Sequence, residues 1–360
     1  MRILHAILSE AFYGSERHCI DLAVAQQQAG HDVSLLIADG RSHCAGEFRR
    51  VIAASRAAGP RASCVRLIVL PRRLPRWLQR PAAAMLLARN RPEIVHTHLN
   101  PAARRVGAVA QRLGIPHVMT LHLDYDPREH AGIDGLVALH ARQRAQVPAD
   151  FAGAVAIVWN WLAGDVAHAL ANIDPGDVAR LRADWRADAE TVVFGTVGRL
   201  NTEKGMDVLV RAFRRAFPAS DAPVRLVIVG DGPQRRAIDQ LAGGDPRILL
   251  LGMQPDVAPF YRAFDVFVSA ARFEPFSLAI IEAMAAGCPL IATRIFGTME
   301  FVTDPRTLWT APDRDDELAA QLCAAAARKR QRFGYDMSRF SPARAVAETD
   351  AFYRRVASRR

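Results

Sequence analysis

RFEPFSLAIIEAMAAGCPLIAT, Arg272 to Thr293, reads as a loop, a helix and a strand in immediate succession. Ser277 to Ala286 consists of good helix formers, Gly287 sits where a helix closes, and Pro289 blocks its continuation. Leu290 to Thr293 is a short β-rich run. This order places a helix N-terminus, with its unpaired N–H groups, at the edge of an α/β sheet where an anion can sit. Glu274 lies on the loop and Glu282 eight positions on, within the helix. By spacing alone the two are a chance pair, since an exposed helical glutamate ordinarily marks a solvated face. Their meaning depends on what surrounds them.

Outward from this stretch the same alternation fills the chain. Strands are predicted at Arg2 to Leu8, Val33 to Ile37, Val65 to Leu70, Ile94 to Thr97, Val118 to His122, Leu136 to Leu139 and Val155 to Val158. After a polar interval come Val192 to Val197, Val224 to Val229, Ile248 to Leu251, Val266 to Ser269 and Leu290 to Thr293. Helical patterns such as Arg17 to Gln28 and Ala102 to Leu113 lie between them. Continuous apolar strands separated by helices indicate parallel sheets covered on both faces. The strandless interval Leu170 to Glu190 marks the change of domain, giving an expected division into residues 1–160, 161–340 and a final helical segment 341–360 that packs back on the first domain. The expected class is α/β, two Rossmann-like doubly wound domains facing across a cleft, with ligands at the carboxyl ends of the strands.

A chain of 360 residues, half of them apolar, suits two such domains. No apolar run reaches the ~20 residues of a membrane span, and the opening MRILHAILSE has neither the apolar core nor the cleavage site of a signal peptide, so a cytoplasmic location is expected. Cys19, Cys44, Cys64, Cys288 and Cys323 follow no metal-ligand or C-x-x-C spacing and read as reduced, structural residues. The 47 Lys+Arg against 37 Asp+Glu, nearly all arginine, give +10, a balance that favours phosphates or anionic lipid. The densest basic run, PRRLPRWLQR from Pro71 to Arg80, can set Leu74, Trp77 and Leu78 against a bilayer while Arg72, Arg73, Arg76 and Arg80 meet headgroups. A solvated helix start or a core-packed Trp77 is the competing reading. No zinc finger or aromatic-basic motif points to nucleic acid.

Two loops of the second half carry charge or glycine in useful places. FGTVGRLNTEKGMD, Phe194 to Asp207, ends a buried strand at Gly198 and follows it with Arg199 and Lys204. Two cations at a strand end can clamp a diphosphate, each charge-assisted hydrogen bond contributing about 1.5 to 3 kcal/mol. Pairing with Glu203 or Asp207 on the surface is the plainer alternative. In VIVGDGPQ, Val227 to Gln234, Gly230 and Gly232 make a sharp turn and Pro233 opens a helix. The third glycine of a dinucleotide fingerprint is missing here and in AFYGSER, Ala11 to Arg17, which disfavours a nicotinamide or flavin enzyme.

Taken in order, VGRL and KG, then IVGDGP, then LLG at Leu250 to Gly252, then EPFSLAIIEAMAAGCPLIAT closely resemble the retaining family-4 glycosyltransferases of the GT-B fold. The resemblance implies that Glu282 binds the ribose hydroxyls and Glu274 the donor sugar. It implies that N–H groups near Phe276, Ser277 and Leu278 meet the diphosphate or sugar hydroxyls, that Gly198 and Gly230 line the donor, and that Arg199 and Lys204 stabilise the departing nucleoside diphosphate. No metal or other cofactor is needed in this family, because those cations replace it. Many relatives have glycine where Ser277 stands, which bears on the donor sugar.

In the first half, SEAFYGSERHC, Ser9 to Cys19, is similar to the family's glycine loop, with Gly14 free to approach donor phosphate or acceptor and Tyr13 in place of a second glycine. Glu16 and Arg17 match a frequent pair that is more often structural. His122 aligns with the family histidine near the transferred sugar, where its carbonyl or ring would stabilise charge on the anomeric carbon. Asp124 and Asp126 are candidates for acceptor hydroxyls. His96 and His98, one residue apart, point to one side of their strand and read as acceptor-side or structural, since a metal there lacks a carboxylate partner. In FGTMEFV, Phe296 to Val302, Gly297 fits a tight turn and Glu300 a structural role.

The expected activity is sugar transfer with retention from a nucleoside-diphosphate sugar, UDP before GDP, to a saccharide or lipid-linked acceptor, of the lipopolysaccharide-core or cell-surface kind. A nucleotide-sugar epimerase of related fold and a non-catalytic nucleotide-sugar scaffold are the alternatives.

Overall fold

The computed structural model describes residues 1–9, 12–38, 44–57, 65–70, 75–219, 221–328 and 330–359. Cys64 and the start of the basic run, Pro71 to Leu74, lie outside them, as do Glu10 and Ala11 of the first glycine loop. Two compact units form, one from Met1–Asp165 with Arg339–Arg360, the other from Val166–Ser338.

The first unit holds a parallel sheet of β1 (Arg2–Ile7), β2 (Asp32–Ala38), β3 (Arg66–Leu70), β4 (Ile94–His98), β5 (His117–Thr120), β6 (Gly135–Ala138) and β7 (Ala154–Ile157), in the order β3-β2-β1-β4-β5-β6-β7. The second holds β8 (Val192–Val197), β9 (Val224–Val229), β10 (Ile248–Gly252), β11 (Val266–Ser269), β12 (Leu290–Thr293) and β13 (Leu308–Thr310), in the order β10-β9-β8-β11-β12-β13. In both, the order of strands reverses beside the first strand of the unit, between β1 and β4 and between β8 and β11. At such a switch point the flanking loops part and leave a crevice at the carboxyl ends of the strands. The two Rossmann-like sheets are thus of the expected class.

Strand cores alternate with helices for the reason the pattern gives. Ile3, Ile7, Val33, Leu35 and Ile94 are buried in the first unit and Phe194, Leu226, Ile228 and Val268 in the second, against helix residues such as Ile20, Leu209 and Phe213. The final helix, Pro342–Ala357, is capped by Ser341 and buries Phe352, Tyr353 and Val356 in the first unit's core. Each such side chain contributes on the order of 1.5 to 3 kcal/mol. Gly135 on β6 leaves the room they need, since a Cβ there would lie 2.7 Å from Val356.

Four expectations change. β13 is added to the second sheet, a strand too short at three residues to show a pattern. β5 closes at Thr120, so His122 stands on the loop beyond it. The helix expected over Ala102 to Leu113 is interrupted by a π-helical turn at Ala103–Gly107, where the His117 ring lies so close that a Cβ on Gly107 would be 2.1 Å away. Trp77 does not enter the core: on the helix Arg76–Asn90 it is 75% exposed, and Met85 is 72% exposed. Among the described residues no helix is long and apolar enough to cross a membrane, and Cys19, Cys288 and Cys323 are free thiols.

Candidate functional site

At the switch point of the second sheet three loops lie backbone against backbone. After β8 the chain passes Gly198, Arg199 and Leu200, turns through Thr202–Lys204, and enters a helix at Gly205 with φ +64. A Cβ on Gly205 would lie 2.0 Å from the Ala270 carbonyl oxygen beyond β11, and one on Gly230 2.0 Å from that of Gly198. Glycine at these two positions is a condition for the loops to meet. Leu200 N–H donates to Asp231 O at 3.0 Å and Gln234 N–H to Leu200 O at 2.9 Å, locking the β8 and β9 loops together.

Lys204 and Glu274 are brought into direct contact, the ammonium donating to Glu274 Oε2. Neither Glu203 nor Asp207 takes the lysine as the plainer reading allowed. Asp207 is claimed by Arg272, whose two terminal nitrogens donate to its oxygens at 2.8 Å each, and by Arg211 at 3.1 Å. These guanidinium bonds push the Asp207 carboxyl down to about 2. Arg272 also donates to Thr202 O at 2.7 Å and to Asp313 at 2.6 Å, while its own N–H donates to Glu203 O at 2.7 Å. One arginine therefore fastens the Glu274 loop to the Lys204 turn.

Gly297 supports the same loop from behind. The sequence suggested a tight turn here, but Gly297 has no left-handed φ; it lies in the short helix Phe296–Met299, where a Cβ would stand 1.8 Å from the Glu274 carbonyl oxygen. Close approach, not turn geometry, demands glycine.

The helix itself spans Leu278–Ala285, one residue shorter at each end than expected, because Ser277 is its cap. The Ser277 hydroxyl accepts from Ile280 N–H at 3.4 Å and is buried. Its oxygen thus serves the helix start, a common task for serine. Phe276 is also buried, its ring stacked 4.3 Å from that of Phe301. Half-buried Glu282 accepts at Oε2 from the Tyr261 hydroxyl at 2.7 Å. Burial and the nearby carboxylate raise the Tyr261 pKa well above 10, so the hydroxyl remains a donor. Arg199 is exposed, on the loop between Gly198 and Lys204.

The first unit gathers histidines at its own switch point. His5 on β1 is in register with His96 on β4, and His98 follows two residues later on the same face. His96 and His98 stack at 4.5 Å, and His18, from the helix Gly14–Gln28, packs 5.0 Å from His122. Bonds run from His122 Nε2 to His98 Nδ1 at 3.1 Å, from His98 Nε2 to His5 Nδ1 at 3.2 Å, and from His5 Nε2 to Gln26 Oε1 at 2.7 Å. His96 sits between Tyr353 OH at 2.6 Å and Thr120 Oγ1 at 2.8 Å. Burial pushes His5 and His18 down to about 4 and His96, His98 and His122 well below 6.5. The rings are neutral at physiological pH.

Beside His122 opens a hollow of about 650 Å³ lined by Leu99, Asn100, Leu121, Asp124, Tyr125 and His130, among others. Leu99, directly after β4, holds φ +66, a conformation rarely adopted by a bulky residue and one that accumulates at functional sites. Asp124 is exposed on this rim, whereas Asp126 accepts from Arg128 N–H at 2.9 Å as a helix cap. Glu16 likewise caps its helix, accepting from Tyr13 N–H at 2.9 Å, and Arg17 pairs with Asp21 and Asp165. A Cβ on Gly14 would meet none of the described residues within 4 Å.

Residues 12–172 match the model of the family described as Glycosyltransferase Family 4, and residues 191–328 match that described as Glycosyl transferases group 1. Together these matches cover every strand of the two sheets except β1. The chain belongs to the family-4 glycosyltransferases. It is 36% identical over 130 residues to the lipopolysaccharide core biosynthesis glycosyltransferase LpsE of Rhizobium meliloti, covering 35% of this chain and 36% of that protein. It is 30% identical over 236 residues to a GDP-mannose-dependent alpha-mannosyltransferase of Mycobacterium tuberculosis, covering 60% and 59%. Aligned stretches span about a third of the length of several curated relatives it matches. In structure it resembles HepE of Anabaena, solved in complex with UDP and glucose, with a TM-score of 0.73 at 18% identity over 100% of this chain and 98% of that one. That likeness supports the GT-B fold.

Within this glycosyltransferase, Lys204 and Glu274 meet directly and Glu282 follows on the helix that the Glu274 loop enters. His122 belongs to the other unit and to its histidine cluster. Tyr261, Arg272, His5 and His18 were not singled out by sequence. Tyr261 lies in an apolar helix pattern that marks it as core, and His5 joins His96 only once β1 is known to pair with β4.

Proposed function

We propose that the protein is a retaining glycosyltransferase that moves a sugar from a nucleoside-diphosphate donor, UDP before GDP, to a hydroxyl of a saccharide or lipid-linked acceptor in cell-envelope glycan synthesis. The observation that carries this reading is the Lys204–Glu274 contact, set between glycine-packed loops one helical stretch away from the Tyr261-held Glu282. Glu282 accepts from the ribose hydroxyls and Glu274 from hydroxyls of the sugar, since an ionised carboxylate only accepts. N–H groups at Phe276, Ser277 and Leu278 meet the diphosphate, near Gly198 and Gly230. Lys204 exchanges Glu274 for phosphate as negative charge grows on the leaving group, and Arg199 joins it. These cations take the place a metal holds elsewhere. The bond from the anomeric carbon to the diphosphate oxygen breaks, the acceptor oxygen bonds on the same face, and the leaving phosphate takes the acceptor proton. His122 is assigned to the transferred sugar and the hollow beside it to the acceptor.

UDP is favoured by the HepE neighbour, which was solved with UDP and glucose, and GDP is kept by the mycobacterial GDP-mannose relative. LpsE supports a lipopolysaccharide-type acceptor. Exposed Trp77 with Arg80, Arg104 and Arg105 around an open hollow supports contact with the inner face of the cytoplasmic membrane. The deciding experiment is a thermal-shift panel of UDP-, GDP- and ADP-sugars, in which a ligand at 100 Kd adds about 2.7 kcal/mol. A protein that no sugar nucleotide stabilises is not a transferase of this kind. Incubation with donor alone separates the epimerase reading, which requires an isomerised sugar.

A further inference from the structure

The histidines of the first unit carry an inference that goes beyond sugar transfer, although it shares His122 with that reading. We propose that His18, His98 and His122 form a binding site for a transition-metal dication, with zinc as its probe. Each of the three offers a ring nitrogen within 4.8 Å of the other two. His98 Nδ1 and His122 Nε2 are 3.1 Å apart, against the roughly 3.3 Å that separates two nitrogens bound at about 2.0–2.1 Å to a tetrahedral ion. For this pair a small outward movement admits the metal.

Hydrogen bonds fix which nitrogens carry lone pairs. Gln26 Oε1 only accepts, so His5 holds its proton on Nε2 and presents a lone pair at Nδ1. That lone pair accepts from His98 Nε2–H at 3.2 Å, which leaves the His98 lone pair on Nδ1, toward His122. Asn160 Oδ1 accepts from His18 Nδ1 at 2.7 Å, leaving the His18 lone pair on Nε2. Two ligands are therefore set in the metal-binding tautomer by partners behind them, the device by which protein sites orient imidazoles toward metals. His122 alone must move its proton, from Nε2 to Nδ1, and its half-buried position gives solvent access for that exchange and for entry of the ion.

A second trio, His5, His96 and His98, is equally close but is committed elsewhere. Both His96 nitrogens are taken, by Tyr353 and Thr120, and His5 Nδ1 already faces His98 Nε2. The outer trio is the site. Three imidazoles without a carboxylate favour zinc, cobalt, nickel or copper over magnesium or calcium, and three protein ligands leave a position open for water.

The test is calorimetric titration of zinc chloride into the full chain after chelation and desalting, with cobalt chloride absorption in parallel. One zinc per chain is expected, unaffected by excess magnesium. His18→Ala and His122→Ala are each expected to weaken binding at least tenfold, and Asn160→Ala about 10- to 100-fold. His122 is half-buried and its removal spares the core, which keeps the test open should His18→Ala fail to fold. No stoichiometric uptake by the unaltered protein, or uptake unchanged in the folded variants, overturns the site.

Discussion

Tyr261 donates its hydroxyl to Glu282 Oε2 across 2.7 Å, from a helix that none of the site's motifs includes. The tyrosine is fully buried, so the carboxylate is aimed by a group that has no other acceptor among the described bonds. Tyr261→Phe keeps the ring in the core and removes the aim. Hydrogen bonds to charged groups contribute about 1.5–3 kcal/mol, part of which water at the half-buried Glu282 restores. Donor-nucleotide Kd is expected to rise about fivefold to tenfold with kcat nearly unchanged, read by calorimetry and steady-state kinetics. An unaltered Kd would detach Glu282 from the ribose.

Lys204 is paired with Glu274 before any donor arrives, so its charge is available only by exchange. Lys204→Ala removes the cation proposed to stabilise the leaving group and leaves Glu274 without its partner. A loss of about 1.4 kcal/mol is a factor of ten, and kcat/KM is expected to fall at least that far. An unchanged value refutes the clamp.

Gly297 and Gly14 make opposite predictions. At Gly297 a Cβ would lie 1.8 Å from the Glu274 carbonyl oxygen, so Gly297→Ala must push the Glu274 loop aside. Misplacement of this kind costs on the order of 100-fold at the extreme; kcat/KM is expected to drop tenfold or more, with a lower melting temperature. At Gly14 the described residues leave open space, so Gly14→Ala is expected to leave the melting temperature alone and lower activity severalfold if the backbone there meets a ligand. Full activity in Gly14→Ala removes that residue from the binding set.

The fold was legible because both sheets are fully parallel, so buried strands read as apolar runs. β13 escaped because Leu308–Thr310 is too short to show a period. Lys204, Glu274 and Glu282 were legible because glycine and proline punctuate their loops; Tyr261 and Arg272 were not, because they reach the site through tertiary contacts. The histidine cluster shows the limit most clearly. The same-side placement of His96 and His98 follows from strand period, but the rings packed against them, His5 from β1 and His18 from a helix, arrive only through tertiary pairing.

Tyr353 ties the end of the chain to that cluster, its hydroxyl 2.6 Å from His96 Nδ1. Tyr353→Phe leaves a buried ring nitrogen without this partner, a cost of about 1–3 kcal/mol. For a unit of this size each kcal/mol shifts the melting temperature by about 2–4 °C. The first unit's transition is expected to fall accordingly, and an unmoved transition would mean that water replaces the hydroxyl.

His122 is claimed twice, by the transferred sugar and by the metal site, and one ring cannot serve both. Zinc is therefore expected to inhibit transfer, and a chelator to restore it, while under the proposed clamp of Lys204 and Arg199 on the diphosphate the chelated protein is expected to keep its full rate. His18→Ala removes a ligand that touches neither donor nor acceptor in this reading, so it should move half-inhibition to at least tenfold higher zinc. A rate that falls on chelation would mean that sugar transfer itself draws on the metal, and the cation clamp would then be the wrong account of the leaving group.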